Sequence, residues 1–226
     1  MSHPAGTELL DDPSADPAAV RRSLGNIARA NRLFGGTAAV LWGLDRVLTG
    51  PAVRASHLAL LDIGTGAGDI PRAIRAWAAE RGTRVRTFGL DRLRPAAALA
   101  HSAVLPMTLG CATRLPFRSG SVDIVTISQV LHHFEPDAAA RLLAEAARVA
   151  RRGVVIADLL RSRTAATLFG VGARVLGFDT HTVADGITSV GRGYTPDELG
   201  SLGHMAGIDL AVTVRPGWRV VAWCRA

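Results

Sequence analysis

The segment Leu58-Ala59-Leu60-Leu61-Asp62-Ile63-Gly64-Thr65-Gly66-Ala67-Gly68-Asp69-Ile70 constrains the fold more than any other part of the chain. Its first half is apolar except for Asp62, the pattern of a strand buried on both faces. The strand runs through three alternate glycines into a helical pattern over residues 70–81. Glycine tolerates the left-handed backbone that such a turn requires and lets a ligand lie against bare peptide. The helix that follows offers free N–H groups and the positive end of its dipole. A dinucleotide fingerprint is excluded by spacing, because it needs G-x-G-x-x-G and Asp69 stands where its third glycine would fall.

The rest of the chain repeats the strand–helix rhythm. Strand patterns lie over 84–90, near 105–109, and over 122–128 and 153–157, with helical patterns over 95–103 and 136–150. Such alternation predicts a mostly parallel sheet covered on both faces. Near the end the order changes to a helix over 195–206 and two strands over 208–214 and 218–224 around Pro216-Gly217, which predicts an antiparallel hairpin at the sheet edge. Ahead of the first strand, Val20, Leu24, Ile27 and Leu33 are spaced for an amphipathic helix from about residue 16 to 34, with Asp16 as N-cap and Pro17 at N1. Gly35-Gly36 breaks it, and a second apolar helix runs to Leu48 before Gly50-Pro51. Residues 1–17, interrupted by Pro4, Pro13 and Pro17, read as a loose leader.

Composition removes several alternatives. Of 226 residues, 48% are hydrophobic and 20% charged, too apolar for disorder. All 26 basic residues are arginine, and against 19 acids they leave a net charge of +7. The excess is dispersed, aromatics make up only 5%, and Tyr194 is the one tyrosine, so a stacking platform for nucleic acid is disfavoured. With two cysteines neither a disulfide framework nor a cysteine-rich zinc site is available, and no metal site is expected. No apolar run reaches the ~18–20 residues of a membrane span, and the acidic, turn-rich start lacks a signal-peptide pattern. The expectation is a cytoplasmic protein. Without lysine, acid–base chemistry near neutrality falls to seven histidines.

Four elements taken in order resemble the class I S-adenosylmethionine-dependent methyltransferases. The first is the acid and G-x-G-x-G turn at Asp62, Gly64, Thr65, Gly66 and Gly68. The second is Asp91, ending the second strand pattern, an acid placed to accept both hydroxyls of a ribose. The third is Gly110-Cys111-Ala112-Thr113-Arg114-Leu115-Pro116-Phe117 followed by Ser121-Val122-Asp123-Ile124-Val125. Members of the family usually carry aspartate where Cys111 stands, so the resemblance leaves adenine to the backbone N–H of Ala112 and apolar walls. The fourth is Ser128-Gln129-Val130-Leu131-His132-His133-Phe134, at the rim where ligands bind in open α/β sheets.

The fold this implies is α/β, a Rossmann-like class I methyltransferase sheet, mostly parallel with a C-terminal antiparallel hairpin and preceded by N-terminal helices. An N-terminal helical lid over 1–50 would precede a methyltransferase domain over 51–226, with a substrate-cover insertion over 159–194. Cofactor contacts are expected at Asp62, Gly64, Thr65, Gly66, Gly68, Asp91, Arg92, Cys111, Ala112, Ser128 and Gln129, with Asn31 and Arg32 closing from the lid. His133 or His132 is placed to take a proton from the acceptor, with Asp158 orienting the base and a slight preference for His133. His181, Arg192 and Tyr194 are candidates to bind an oxygenated aromatic. The segments 26–36 and 181–195 are similar to a bacterial subgroup associated with type III polyketide synthases. That similarity implies O-methylation of a small phenolic or polyketide-type acceptor. C-methylation of a similar acceptor, RNA methylation and a non-catalytic cofactor-binding partner of a biosynthetic enzyme stand as alternatives, and oligomeric state is open.

Overall fold

A computed structural model describes residues 8–12, 14–48, 57–102 and 105–225. The Gly50-Pro51 break and the boundary there, together with residues 1–7 and Pro13 of the leader, fall outside the described residues. Two helices lead, α1 (Pro17–Leu33) and α2 (Gly36–Val47). Asp16 caps α1 by accepting from Ala18 N and Ala19 N at 3.2 and 3.0 Å, with Pro17 where a missing N–H costs nothing. Gly35, at φ +79°, turns the chain into α2.

The strands are β1 (His57–Ile63), β2 (Arg84–Asp91), β3 (Met107–Leu109), β4 (Val122–Ser128), β5 (Ala150–Leu159), β6 (Ala211–Arg215) and β7 (Arg219–Arg225). They form one seven-stranded sheet in the order β3-β2-β1-β4-β5-β7-β6. The pairs from β3 through β5 are parallel, and β7 lies antiparallel to both β5 and β6. Strand order reverses between β1 and β4, and the crevice at their carboxyl ends is where such sheets bind ligands.

The sheet buries both faces because its strands are apolar at successive positions. Leu61, Ile63, Val125, Ile127 and Ile156 face α5 (Pro136–Val149) and α8 (Pro196–Met205). Leu60, Ile124, Val155 and Val221 face α2 and α3 (Asp69–Glu80), where they meet Leu44, Ile74 and Trp77. Helix α4 (Arg94–Ser102) instead packs Ala96, with Leu93 just ahead of it, against Val20 and Leu24 of α1. Thus α2 belongs to the core of the sheet, whereas α1 lies over its ligand-binding end.

Segment 159–194 folds into two helices, α6 (Arg163–Val175) and α7 (Thr180–Arg192), capped by Ser162 and Asp179. A further difference lies in the strands. β5 is longer than its 153–157 pattern because Ala150 pairs with Val122 of β4 at one end and Asp158 and Leu159 pair with β7 at the other, and β3, an edge strand, has three residues. Among the described residues no helix is long and apolar enough to cross a membrane.

Candidate active site

Two adjoining cavities open at the carboxyl ends of the central strands, one of about 590 Å³ and one of about 130 Å³. Gly64, Gly66, Gln129 and His133 border both. The larger runs past Asp91, Leu93, Cys111 and Ala112; the smaller holds Asp62, Ser128, His132 and Arg219.

The glycine turn is fixed by β2. Leu90 O accepts from Gly64 N at 2.8 Å and from Thr65 N at 3.2 Å. Gly64, Gly66 and Gly68 all have left-handed φ, at +68°, +52° and +74°. A Cβ at Gly64 would lie 2.3 Å from Val130 Cγ2, so this position leaves no room for a side chain. Replacing Gly64 with alanine is expected to destabilise the fold by ~1–2 kcal/mol for the left-handed backbone, measurable by urea denaturation. Gly68 has another duty, capping α3 behind Leu105 and Ala100, and it lines neither cavity.

Asp91 closes the other side. Its Oδ2 accepts from Gly66 N and its Oδ1 from Leu93 N, both at 2.9 Å. Each oxygen keeps a lone pair, and the carboxylate borders the larger cavity, so two vicinal hydroxyls can be received there. Arg92 also borders it, but its guanidinium donates to Leu10 O at 2.8 Å and lies 3.7 Å from Asp11. Cys111 is exposed, and the Thr113 hydroxyl 3.1 Å from its Sγ pulls its thiol below the ordinary range.

Asp62 is fully buried beneath the turn, with Thr126 Oγ1 donating to it at 2.6 Å. Burial dominates that bond and raises its pKa to about 7. A carboxyl raised from 3.8 stabilises the fold only while protonated, so without a ligand the chain loses stability as pH climbs from about 4 through 7. Asp62→Asn keeps an acceptor for Thr126 and is expected to flatten that decline in thermal melts. A cation seated beside Asp62 is expected to do the same in the unmodified chain.

The histidines are sorted by the short 3-10 turn Leu131–His133 that follows β4. The two rings lie close, with centroids 4.3 Å apart and planes tilted by 33°, yet each meets a different acid. His132 is 3% exposed and places Nδ1 2.6 Å from Asp158 Oδ1. Asp158 also accepts from Leu159 N at 2.7 Å and His132 N at 3.2 Å. Burial opposes its ionisation, but the charge and hydrogen bond of His132 and these N–H groups hold it below the usual carboxylate range. His133 instead meets the N-terminal turn at residues 9–11, its Nδ1 3.0 Å from Asp11 Oδ1. Asp158 therefore orients His132, not the preferred His133.

That N-terminal turn is the larger departure from the sequence reading. Residues 8–12 are a wall of the site, not part of a loose leader. Glu8 is buried, and Arg192 donates to Glu8 Oε1 at 3.2 Å and to Asp11 Oδ2 at 2.8 Å. Burial raises the Glu8 pKa, whereas hydrogen bonds from His133 and Arg192 outweigh burial at Asp11 and hold it far below normal. Glu8, His132 and His133 bring one donor atom each within 4.8 Å of one another, a set able to hold a cation.

Other candidates sort by position. Asn31 borders the smaller cavity, donating to Asp69 at 3.0 Å and accepting from Gln129, whose φ of +54° aims its side chain inward. Arg32 is exposed and lines neither cavity. The three expected acceptor residues are also not among the lining: Arg192 is occupied by Glu8 and Asp11, Tyr194 Oη donates to Phe134 O at 2.7 Å, and His181 is exposed on α7. Helix α7 contributes Asp185, Gly186 and Ser189 instead, and α6 contributes Phe169, because these lie on the inward faces. Glu8, Asp11, Phe169 and Arg219 carry no motif and were not legible.

The residues present fit a bound nucleoside with a charged tail. Ser128 Oγ, buried on the smaller cavity, has no partner among the described residues. The glycine turn, Asp91 and the 590 Å³ cavity supply the rest. Residues 61–157 match the family model described as a methyltransferase domain. The fold is the Rossmann-like methyltransferase fold. A methyltransferase from Aquifex aeolicus, named as dependent on S-adenosylmethionine, is 17% identical with a TM-score of 0.60, over 93% of this chain and 98% of that one. The magnesium protoporphyrin IX methyltransferase of Synechocystis, solved with bound S-adenosylmethionine, is 12% identical at 0.60, over 98% and 99%. A protein from Nostoc punctiforme described as a putative O-methyltransferase is 16% identical at 0.60, over 97% and 69%. A search of curated protein sequences finds no match. The domain match supports a methyltransferase with S-adenosylmethionine as its cofactor.

Proposed function

We propose that the chain transfers a methyl group from S-adenosylmethionine to a hydroxyl oxygen of a small, largely apolar acceptor of phenolic or polyketide type. The observation that carries this reading is the buried His132–Asp158 pair on the smaller cavity, next to the glycine turn. Bound there, the cofactor supplies an electrophilic methyl group.

The chain's own residues supply alignment and proton handling. Asp91 and the cavity wall at Cys111 and Ala112 hold the nucleoside end, with Gly64, Gly66, Asp62, Ser128 and Gln129 at the amino-acid end. Asn31, fixed to Asp69 and Gln129, closes this end from α1. His132 keeps its Nδ1 proton on Asp158, which leaves the Nε2 lone pair free to take the acceptor's proton. Asp158 stabilises the imidazolium that results. Helices α6 and α7 form the acceptor-side cover and exclude water, through Phe169 and Gly186 in particular.

Isothermal titration with S-adenosylhomocysteine, followed by a methylation assay over a panel of phenols, tests the reading. Binding of the product and turnover of a phenol support it, and absence of product binding overturns it. Because His132 acts as the base, removing divalent cations with a chelator is expected to leave kcat unchanged. A chelator-sensitive rate restored by a metal would transfer the role to the Glu8–His132–His133 set.

A further inference from the structure

Arg219 opens β7 at the floor of the smaller cavity and is 4% exposed. Its position is set by two turns that the sequence presents as unrelated. The hairpin turn at Pro216-Gly217 seats on the α1–α2 junction, where a Cβ on Gly217 would lie 2.4 Å from Phe34 O. With the turns in register, Arg219 Nε donates to Phe34 O at 3.1 Å. Among the described residues nothing receives the Nη1 donors. Asp158 is the nearby countercharge, yet among the described residues no carboxylate lies within 4.0 Å of the guanidinium, and Asp158 is turned to His132 and Leu159 N. A guanidinium removed from water with an unfilled terminal nitrogen is costly unless something completes it.

The sheet order says which ligand does so. The cofactor's expected contacts sit at the ends of β2, β1 and β4. β7 lies two strands beyond β4 and three beyond β1, roughly 10 and 14 Å at the usual strand spacing. His132, bonded to Asp158 at the end of β5, stands between the two. The lining combines apolar Leu159 and Phe169 with the acids Glu8, Asp62, Asp69 and Asp185, and Arg219 is the one arginine among it, the group with which an oxyanion pairs most strongly there.

We infer that the acceptor carries, besides the hydroxyl that is methylated, an anionic oxygen group such as a carboxylate or an ionised enol, and that Arg219 receives it. The inference rests on the methyl-transfer reading and narrows its acceptor to an anionic, mostly apolar molecule. The same oxyanion chemistry is present in the amino-acid tail of the cofactor, so the test has an arm for each source.

Isothermal titrations on the full chain first measure S-adenosylhomocysteine. With it bound, salicylate and its meta and para isomers are compared with the matching hydroxybenzamides, which keep the shape and lose the charge. At least one acid is expected to bind about tenfold more tightly than its amide. Arg219→Met is expected to abolish that preference, and Arg219→Lys to keep part of it, with S-adenosylhomocysteine affinity within about twofold. If Arg219→Met does not fold, Arg219→Gln must lose the preference instead. An acid preference missing from every pair, or unchanged in the charge-removing variant, overturns the inference alone. Product affinity falling in step with the substitution assigns Arg219 to the cofactor and also overturns it. A wild-type chain that binds no S-adenosylhomocysteine overturns the methyl-transfer reading and the inference with it.

Discussion

His132→Ala is expected to lower kcat by about 100- to 10,000-fold on a verified acceptor, the range that a lost general base costs, while product affinity stays nearly constant. The distinction matters because His132 is buried against Asp158, and a purely structural role would reduce folded protein rather than turnover per folded molecule. Asp158→Asn is expected to fall in the same direction by a smaller factor, because the side chain keeps its size but loses the charge that favours the imidazolium. Its pH profile should shift, since Asp158 no longer fixes the proton on His132 Nδ1. His133→Ala is expected to change kcat far less, as its ring is bonded to Asp11 of the N-terminal turn and not to the oriented acid. Equal losses at both histidines would sink the assignment, and full activity in both would leave proximity and alignment as the whole catalytic effect.

Asp91→Ala is expected to weaken S-adenosylhomocysteine binding by about 10- to 100-fold in titrations, from the loss of hydrogen bonds to an ionised acceptor. Part of that loss passes through the protein, because Asp91 also holds the N–H groups of Gly66 and Leu93. Asp91→Asn separates the two contributions: one oxygen still serves the turn, while the charge is gone. Comparable affinity in Asp91→Asn and wild type would mean that the carboxylate shapes the glycine turn and does not bind ribose.

The legible parts of the site are those whose information is local. The run from Leu58 to Ile70 fixes strand, turn and helix within thirteen residues, since apolar periodicity and glycine's backbone freedom act on near neighbours. Asp91 and the 128–134 segment follow from their places at strand ends, which any parallel sheet gathers at one edge. Arg192 and Tyr194 misled because residue type says nothing about which partner a side chain finds. Arg192 found two acids of the N-terminal turn and Tyr194 a backbone carbonyl, so neither reaches a cavity.

By itself, then, the chain's order of residues determines a mostly parallel sheet, its glycine turn and the rim on which a ligand must lie. Only tertiary structure decides that His132 rather than His133 meets Asp158, that Glu8 and Asp11 wall the site, and that Arg219 reaches its floor. The reason is physical. Periodicity and turn chemistry are set by dihedral preferences a few residues long. Which acid faces which histidine, and which buried guanidinium keeps an unfilled nitrogen among the described residues, depends on how β5, β7 and the N-terminal turn come together across separations of 26 to 185 residues.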